Sequence, residues 1–480
     1  MYQSVVDAAV AFGLLGKGVL SDAEDVEQKP LAILYDIDAW EQNLKVVRED
    51  CFSESHFLHA CAVKTNPLAF FLKRAYEHGH GAECASLTEV KHALNLGFNA
   101  GDIIYDSPCK TLAEIKFALT HGIHLNIDNM QELQRVRSLL NDGVQSDGVI
   151  GVRINPLVGA GTIAQFSVST GKSKFGIPVP PSGDERESLL NSVLENPWIS
   201  CVHVHTGSGG MGLAQLVAGV RTAVDFALEV NSRCGSNQIQ VLDIGGGLGV
   251  DFKSENMLSD FSSYAQALRA SVPEIFEKGR FKRVVTEFGA ALQCKFASLL
   301  ARVEYTKTYD GGRIALIHAG SDLFMRACYC PGTFVNHRAF AYDSNGIPKV
   351  ANELPHDIAG PLCFAGDVIL NGVVLPELEV DDIVQLADVG GNSLSIRTTH
   401  CSRQAPPVYV FRKTQTGFCF QQVRTFLSWE EFYIYSILHY RFKKFNLRIL
   451  HWFNGIQYNI FLCFIKVSFR FNPIKLFKKL

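Results

Sequence analysis

The chain has 480 residues, enough for two domains with large cores, and its 47% hydrophobic and 19% charged content is that of a globular protein. A net charge of −3 excludes binding to nucleic acid by bulk charge. Thirteen cysteines with neither a disulfide-framework spacing nor a paired CxxC pattern exclude a zinc ribbon, leave no structural metal, and indicate a reducing, cytoplasmic setting.

The first residues, MYQSVVDAAVAFGLLGKGVL, have a short apolar stretch, but they carry Asp7 and no basic lead. They do not read as a secretory signal, and the scarcity of arginine speaks against a transit peptide. No apolar run reaches the roughly 18 residues of a membrane span, so no membrane partner is expected.

From Pro30 to Lys307, short β-like runs alternate with helical patterns. The runs are LAILYDI, HACAVKT, DIIYD, HLNID, GVIGVRIN, ISCVHVHTG, IQVLDIGGG, RVVTEFG and LLARVEYT. Segments such as PLAFFLKRAYEHG lie between them, with apolar residues at helical spacing. This alternation predicts parallel strands with crossover helices, and about eight units predict a closed (β/α)8 barrel over 30–307.

Within that region Lys64 ends the apolar run FLHACAVKTNP. A lysine buried there has a lowered pKa and a nucleophilic amine, the requirement for a Schiff base. The alternative is a lysine whose head snorkels to water. CVHVHTGSGG offers His205, whose ring can stack on a flat ligand, and Ser208, whose hydroxyl can meet a phosphate. His203 reads as a core histidine. IQVLDIGGGLGVDF runs a strand into Gly245, Gly246 and Gly247, whose backbone N–H groups can close around a phosphate. It is not a dinucleotide fingerprint, because Val250 stands where the third glycine would fall. RVVTEFGAAL places Glu287 at a strand end, where a carboxylate can hold a protonated ring nitrogen or favour a helix N-terminus.

After Lys307 the segments GGRIALIHAG, GDVILNGVVLPELEVDDIVQLADVGG and APPVYVFRK are strand-like, predicting a second, all-β domain over 308–414. Residues 415–480 hold 10 Lys/Arg against 2 acids and 12 of the 33 phenylalanines, without a clean period. They read either as a basic aromatic tail for a membrane surface or RNA, or as sequence not selected as a domain.

A strand-end lysine, a glycine loop, a stacking histidine and an acid for a ring nitrogen are the parts of a pyridoxal 5'-phosphate site. AVKTNP, GAECASLTEV, IIYDSPCKTLAEIKFAL, NIDNMQEL, VRINP, STGKSKFGIP, HVHTGSGG, LDIGGGLG, TEFG, GPLCFAGDVI and DVGGN occur in the order of one family. Over about residues 30–412 the chain resembles the fold-type III pyridoxal-phosphate decarboxylases, which act on diaminopimelate, ornithine and arginine. The resemblance implies an alanine-racemase-like TIM barrel and a β-sandwich or Greek-key-like domain, to which residues 1–29 contribute.

The resemblance implies these roles. Lys64 forms the Schiff base, His205 stacks on the cofactor, and Ser208 with Gly245–Gly247 binds its phosphate. Glu287 pairs with the pyridine nitrogen, Glu83 lies near the cofactor, and Arg153 lies beneath the ring. Cys363 comes from a partner subunit as proton donor, with Asp367 in the same substrate-side segment, so a homodimer with a shared active site is implied. STGKSKFGIP and HAGSDLFMR favour the diaminopimelate branch and lysine biosynthesis, with Arg326 on a substrate carboxylate. Ala319 stands where ornithine decarboxylases carry an acid.

The chain also departs from the pattern. EPGR reads EFGA, with Phe288 and Ala290; CESGD reads CFAGD, with Phe364; GAY reads GGN, with Asn392; and Cys330 replaces a tyrosine. Two readings follow: an active decarboxylase on diaminopimelate or a related diamino acid, or a non-catalytic relative that binds the cofactor or dimerises.

Overall fold

The computed structural model describes residues 4–16, 30–257, 260–333 and 337–425. Strand β1 (Leu31–Asp36) leads through Asp36, which caps the helix Ile37–Lys45 by accepting from the Ala39 N–H at 2.9 Å. Eight parallel strands then close a barrel: β2 (Phe57–Ala62), β3 (Gly81–Cys84), β4 (Ile103–Asp106), β5 (His124–Ile127), β6 (Ile150–Asn155), β8 (Cys201–Val204), β9 (Val241–Asp243) and β10 (Arg283–Thr286). The two-residue β7 (Ile177–Pro178) adds to β6 only. Pairing of β10 with β2 completes the ring.

Crossover helices cover it. Those at Leu87–Asn95, Leu112–Thr120 and Met130–Asn141 start at Ser86, Thr111 and Asn129, whose side chains accept the first free N–H groups. Their apolar stripes pack on the strands through Val90, Ile115, Leu133 and Val136. Among the described residues no helix is long and apolar enough to cross a membrane.

The barrel is as expected, but its membership differs from the sequence reading at three strands. LAILYDI and LLARVEYT are not barrel strands. β1 pairs antiparallel with β11 (Ala297–Tyr309) and parallel with β17 (Val408–Thr414), in the second, mostly-β domain. The missing barrel strand is GAEC, four buried residues too short to show a pattern. The second domain also holds β12 (Gly312–Ile317), β13 (Ala339–Tyr342), β14 (Glu353–Ala359), β15 (Val368–Pro376), β16 (Ile383–Ala387) and β18 (Gly417–Arg424). β18 forms a hairpin with β17 across the boundary placed at 414, so the sheet runs ten residues further. The rest of the tail, 426–480, lies outside the described residues.

Ser4 caps the helix Val5–Ala11, and Val6 and Ala9 pack with Ala32, Leu34, Leu300, Ile383 and Tyr409 of the sheet.

Two features of the barrel generate predictions. At the end of β9, Gly247 has φ +100°, and a methyl there would overlap the Gly207 carbonyl. Gly247→Ala is expected to destabilise the protein by roughly 1–3 kcal/mol in urea unfolding. His59 and His80 are buried with ring centroids 6.0 Å apart. Burial pushes their pKa values down from 6.5 to about 4 and about 3. Below pH 6.5 the unfolded chain therefore binds protons that the native state refuses. Their contribution is complete above pH 6.5 and is lost as pH falls toward 4. His80→Gln is expected to flatten the slope of stability against pH over that window by up to about 1.4 kcal/mol per pH unit.

Candidate active site

Each barrel strand places one ionisable side chain at or just beyond its C-terminal half, the end where barrel sites form. They are Lys64, in the single 3-10 turn after β2; Glu83 on β3; Asp106 ending β4; Asp128 one residue past β5; Arg153 on β6; His203 on β8; Asp243 ending β9; and Glu287 one residue past β10. Seven of the eight are buried, and only the Lys64 side chain is half open to solvent, at 51%.

Buried charge must be compensated locally, and this layer does so. Lys64 Nζ donates to Glu83 Oε2. Arg153 Nη1 lies 2.7 Å from Asp106 Oδ2 and 3.9 Å, through Nε, from Asp128 Oδ1. His203 stands between Asp106 at 3.6 Å and Glu287 at 3.4 Å. Burial opposes a charged His203, but Asp243, Asp106 and Glu287 outweigh it and lift its pKa to about 9, so the ring is an imidazolium. Burial likewise opposes an ionised Glu287, and His203 overcomes it and holds the carboxyl below its usual range. Asp243 is pushed well up from the usual carboxylate range by burial and Glu287, against the pull of His203. His203 is thus the hub of the layer rather than a neutral core histidine.

Lys64 departs from expectation in protonation. Desolvation lowers its pKa, but Glu83, Glu287 and Asp106 more than reverse this, and the net shift is upward. Glu83 is the compliant partner: burial, with Glu287 and Asp106, raises it to about 7 against the pull of Lys64.

Above this layer lies a cavity of about 360 Å³. Lys64, His205, Ser208, Gly247, Glu287 and Arg326 share its wall, together with Ala290 and Asn392. Glu83, Arg153, Gly245 and Gly246 support the wall from behind. Gly245 donates its N–H to Asp243 at 3.0 Å and accepts from the Glu287 N–H at 2.7 Å, which ties the glycine loop to the strand end carrying the acid. His205 Nδ1 accepts from the Gly246 N–H at 3.1 Å, and Nε2 lies 3.2 Å from Ser208 Oγ. That pairing selects the neutral tautomer protonated on Nε2. Burial first, then Arg153, keep the ring neutral by lowering its pKa to about 3.

Cys363 and Asp367 are not on this wall. Cys363 is exposed. Asp367 is buried, and its two carboxylate oxygens accept from the Ser321 and Leu362 N–H groups, the latter at 2.8 Å. Asp367 therefore pins its own loop within the chain, off the wall of this cavity. Phe364 stacks on Tyr329 at 4.9 Å.

These residues fit pyridoxal 5'-phosphate. An amine, a neutral imidazole and an ionised carboxylate share one wall, and Glu287 Oε1 has no hydrogen-bond partner among the described residues. Gly249, beside the loop, has open space where a Cβ would stand. The wall carries the Ser208 hydroxyl and Gly247, with no guanidinium at Ala290 and no phenol at Asn392, and the expected Gly245 and Gly246 N–H groups are turned to Asp243 and His205 instead.

The sequence reading missed Asp106, Asp128 and Asp243, and misassigned His203. A signal was present, since DIIYD, HLNID and the strand of IQVLDIGGG each end on aspartate.

Comparison with known proteins agrees with this geometry. Residues 38–293 match the family model for the pyridoxal-dependent decarboxylase, pyridoxal binding domain. The chain is 25% identical over 411 residues to diaminopimelate decarboxylase of Methanothermobacter thermautotrophicus, covering 83% of this chain and 90% of that protein. It is 27% identical over 381 residues to the enzyme of the same name from Helicobacter pylori, covering 77% and 87%. The crystal structure of a Helicobacter pylori diaminopimelate decarboxylase complexed with L-lysine superposes with a TM-score of 0.74 at 22% identity, over 86% of this chain and 98% of that one. With the match spanning more than half of its length, the chain belongs to the pyridoxal-dependent decarboxylase family.

Proposed function

We propose that the chain is a pyridoxal-phosphate-dependent decarboxylase of a free α-amino acid of the diaminopimelate type, and that Lys64 holds the cofactor as a Schiff base. The observation that carries this is the joint placement of Lys64, His205 and Glu287 on one cavity wall above a charge-compensated layer. The names of the relatives supply the substrate type.

When bound, the cofactor supplies a sink for the electron pair left as the bond from Cα to the carboxylate breaks. Lys64 Nζ must shed a proton before it can attack an aldehyde, and Glu83, poised at about pH 7, is the base in contact with it. Glu287, kept ionised by His203, holds a proton on the ring nitrogen. The neutral His205 ring packs on the cofactor face without adding a positive charge. Ser208 Oγ and the Gly247 backbone, both on the wall, hold the phosphate, while the Gly245 and Gly246 N–H groups are spent on Asp243 and His205 and only shape the loop. Arg153 acts at one remove, fixing Asp106 and through it His203.

Cys363, exposed and off the wall, is the residue that the family resemblance supplies as proton donor to the cavity of a second copy, in a homodimer with a shared site. Ala290 and Asn392 favour one other reading, a relative that binds the cofactor weakly and does not turn over.

Two experiments decide. Full-length protein with added pyridoxal phosphate is expected to show a band near roughly 410–430 nm that borohydride fixes on Lys64, and to release carbon dioxide from an amino acid. Lys64→Ala should abolish the band, and a band surviving in Lys64→Ala sinks the lysine assignment. A fixed band without carbon dioxide release establishes the second reading. Glu83→Gln removes the largest charge that holds Lys64 protonated, so the pH midpoint of the band-forming rate is expected to move down, with an unchanged midpoint counting against Glu83 as the proton partner.

A further inference from the structure

The charges on the cavity wall are unequally available. Arg326 presents its guanidinium over the Phe166 ring, 5.0 Å from the centroid. It makes no side-chain hydrogen bond or ion pair among the described residues. Among the described residues, Glu83 is bound to Lys64, and Glu287 faces His203 while its unpartnered Oε1 is taken, in the reading above, by the cofactor ring nitrogen. Asp388, the remaining carboxylate on the wall, lies 3.0 Å from Arg338 and 3.3 Å from Lys295 with its side chain fully buried. His337 is held neutral by burial and meets the Ala387 carbonyl at 2.9 Å. Between these groups the wall is apolar, formed by Ile163, Phe166, Leu323, Phe324 and Ile396. The loop Cys363–Gly366 carries no charge, and the Asp367 that follows is bound to backbone amides.

We infer that this cavity recognises an α-amino dicarboxylic acid: a methylene side chain that ends in a carboxylate and carries no second ammonium. The inference rests on the decarboxylase reading above and changes its substrate from the diaminopimelate type to the analogue without the second ammonium. The apolar wall takes the methylenes, and Arg326 takes the terminal carboxylate. A second ammonium would lose its water against a wall on which no carboxylate is free to replace it.

Stable phosphopyridoxyl adducts test this without turnover. The full-length apoprotein is titrated calorimetrically with the reduced adducts of 2-aminopimelate and 2,6-diaminopimelate, which differ only in the second amine. The 2-aminopimelate adduct is expected to bind at least about tenfold more tightly. Equal or tighter binding of the diaminopimelate adduct overturns the inference and leaves the cofactor site standing. Failure of both adducts to bind overturns the cofactor site and the inference with it. In Arg326→Gln the 2-aminopimelate adduct should fall to the affinity of the 2-aminoheptanoate adduct, whose own binding stays unchanged and shows that the variant is folded. A preference for 2-aminopimelate that survives in Arg326→Gln overturns the assignment of that arginine.

Discussion

The compensation of buried charge at the strand ends is the constraint on which the rest of this structure depends. Desolvating one carboxylate or guanidinium costs several kcal/mol, and eight ionisable side chains meet at one end of a closed barrel. The layer stands because each group leans on another: Arg153 on Asp106, Asp106 on His203, His203 on Glu287, Glu83 on Lys64. Where burial and a like charge outweigh the nearby cation the carboxyl is pushed up, as at Asp243. Loss of one member leaves its neighbour buried and unpaired, so the layer behaves as a network rather than as separate bridges.

The same constraint sets the protonation of the site. His205 and His203 lie two residues apart, one at the end of β8 and the other on it, yet they take opposite charge states. His205 is kept neutral first by burial and then by the nearby Arg153, and it donates into an uncharged loop. His203 has three carboxyls about it and is cationic. The pair therefore differs in place as well as charge: an uncharged ring on the cavity wall, and a positive charge behind it that keeps Glu287 ionised.

Much of this was legible in the sequence, and the exceptions have physical causes. The barrel strands could be read because parallel strands covered on both faces are continuous apolar runs. The same rule misled at LAILYDI and LLARVEYT, because β1 and the first half of β11, up to Val303, are buried within the second domain. GAEC was too short to register. Lys64 was found from its place after an apolar run, but its pKa was not, because the deciding charges at 83, 106 and 287 come from other strands. His203 failed for the same reason, since a histidine in an apolar run gives no sign of the three acids that fold places around it.

The departures from the family pattern fall on one side of this architecture. Ala290, Asn392 and Phe364 lie at the cavity wall or on the loop beyond it, whereas the layer beneath keeps its full set of charges. A contact to a charged group is worth about 1.5–3 kcal/mol, so Ala290 and Asn392 in place of a guanidinium and a phenol remove possible ligand contacts at the wall without touching Lys64 and Glu287. The two sets also differ in what holds them. The buried charges are mutually locked, and a single substitution among them strands a partner in a dry interior. The wall residues face open space, and their replacement leaves nothing unpaired. Divergence is therefore expected at the wall, where it changes what is bound, before it reaches the layer that makes the chemistry possible.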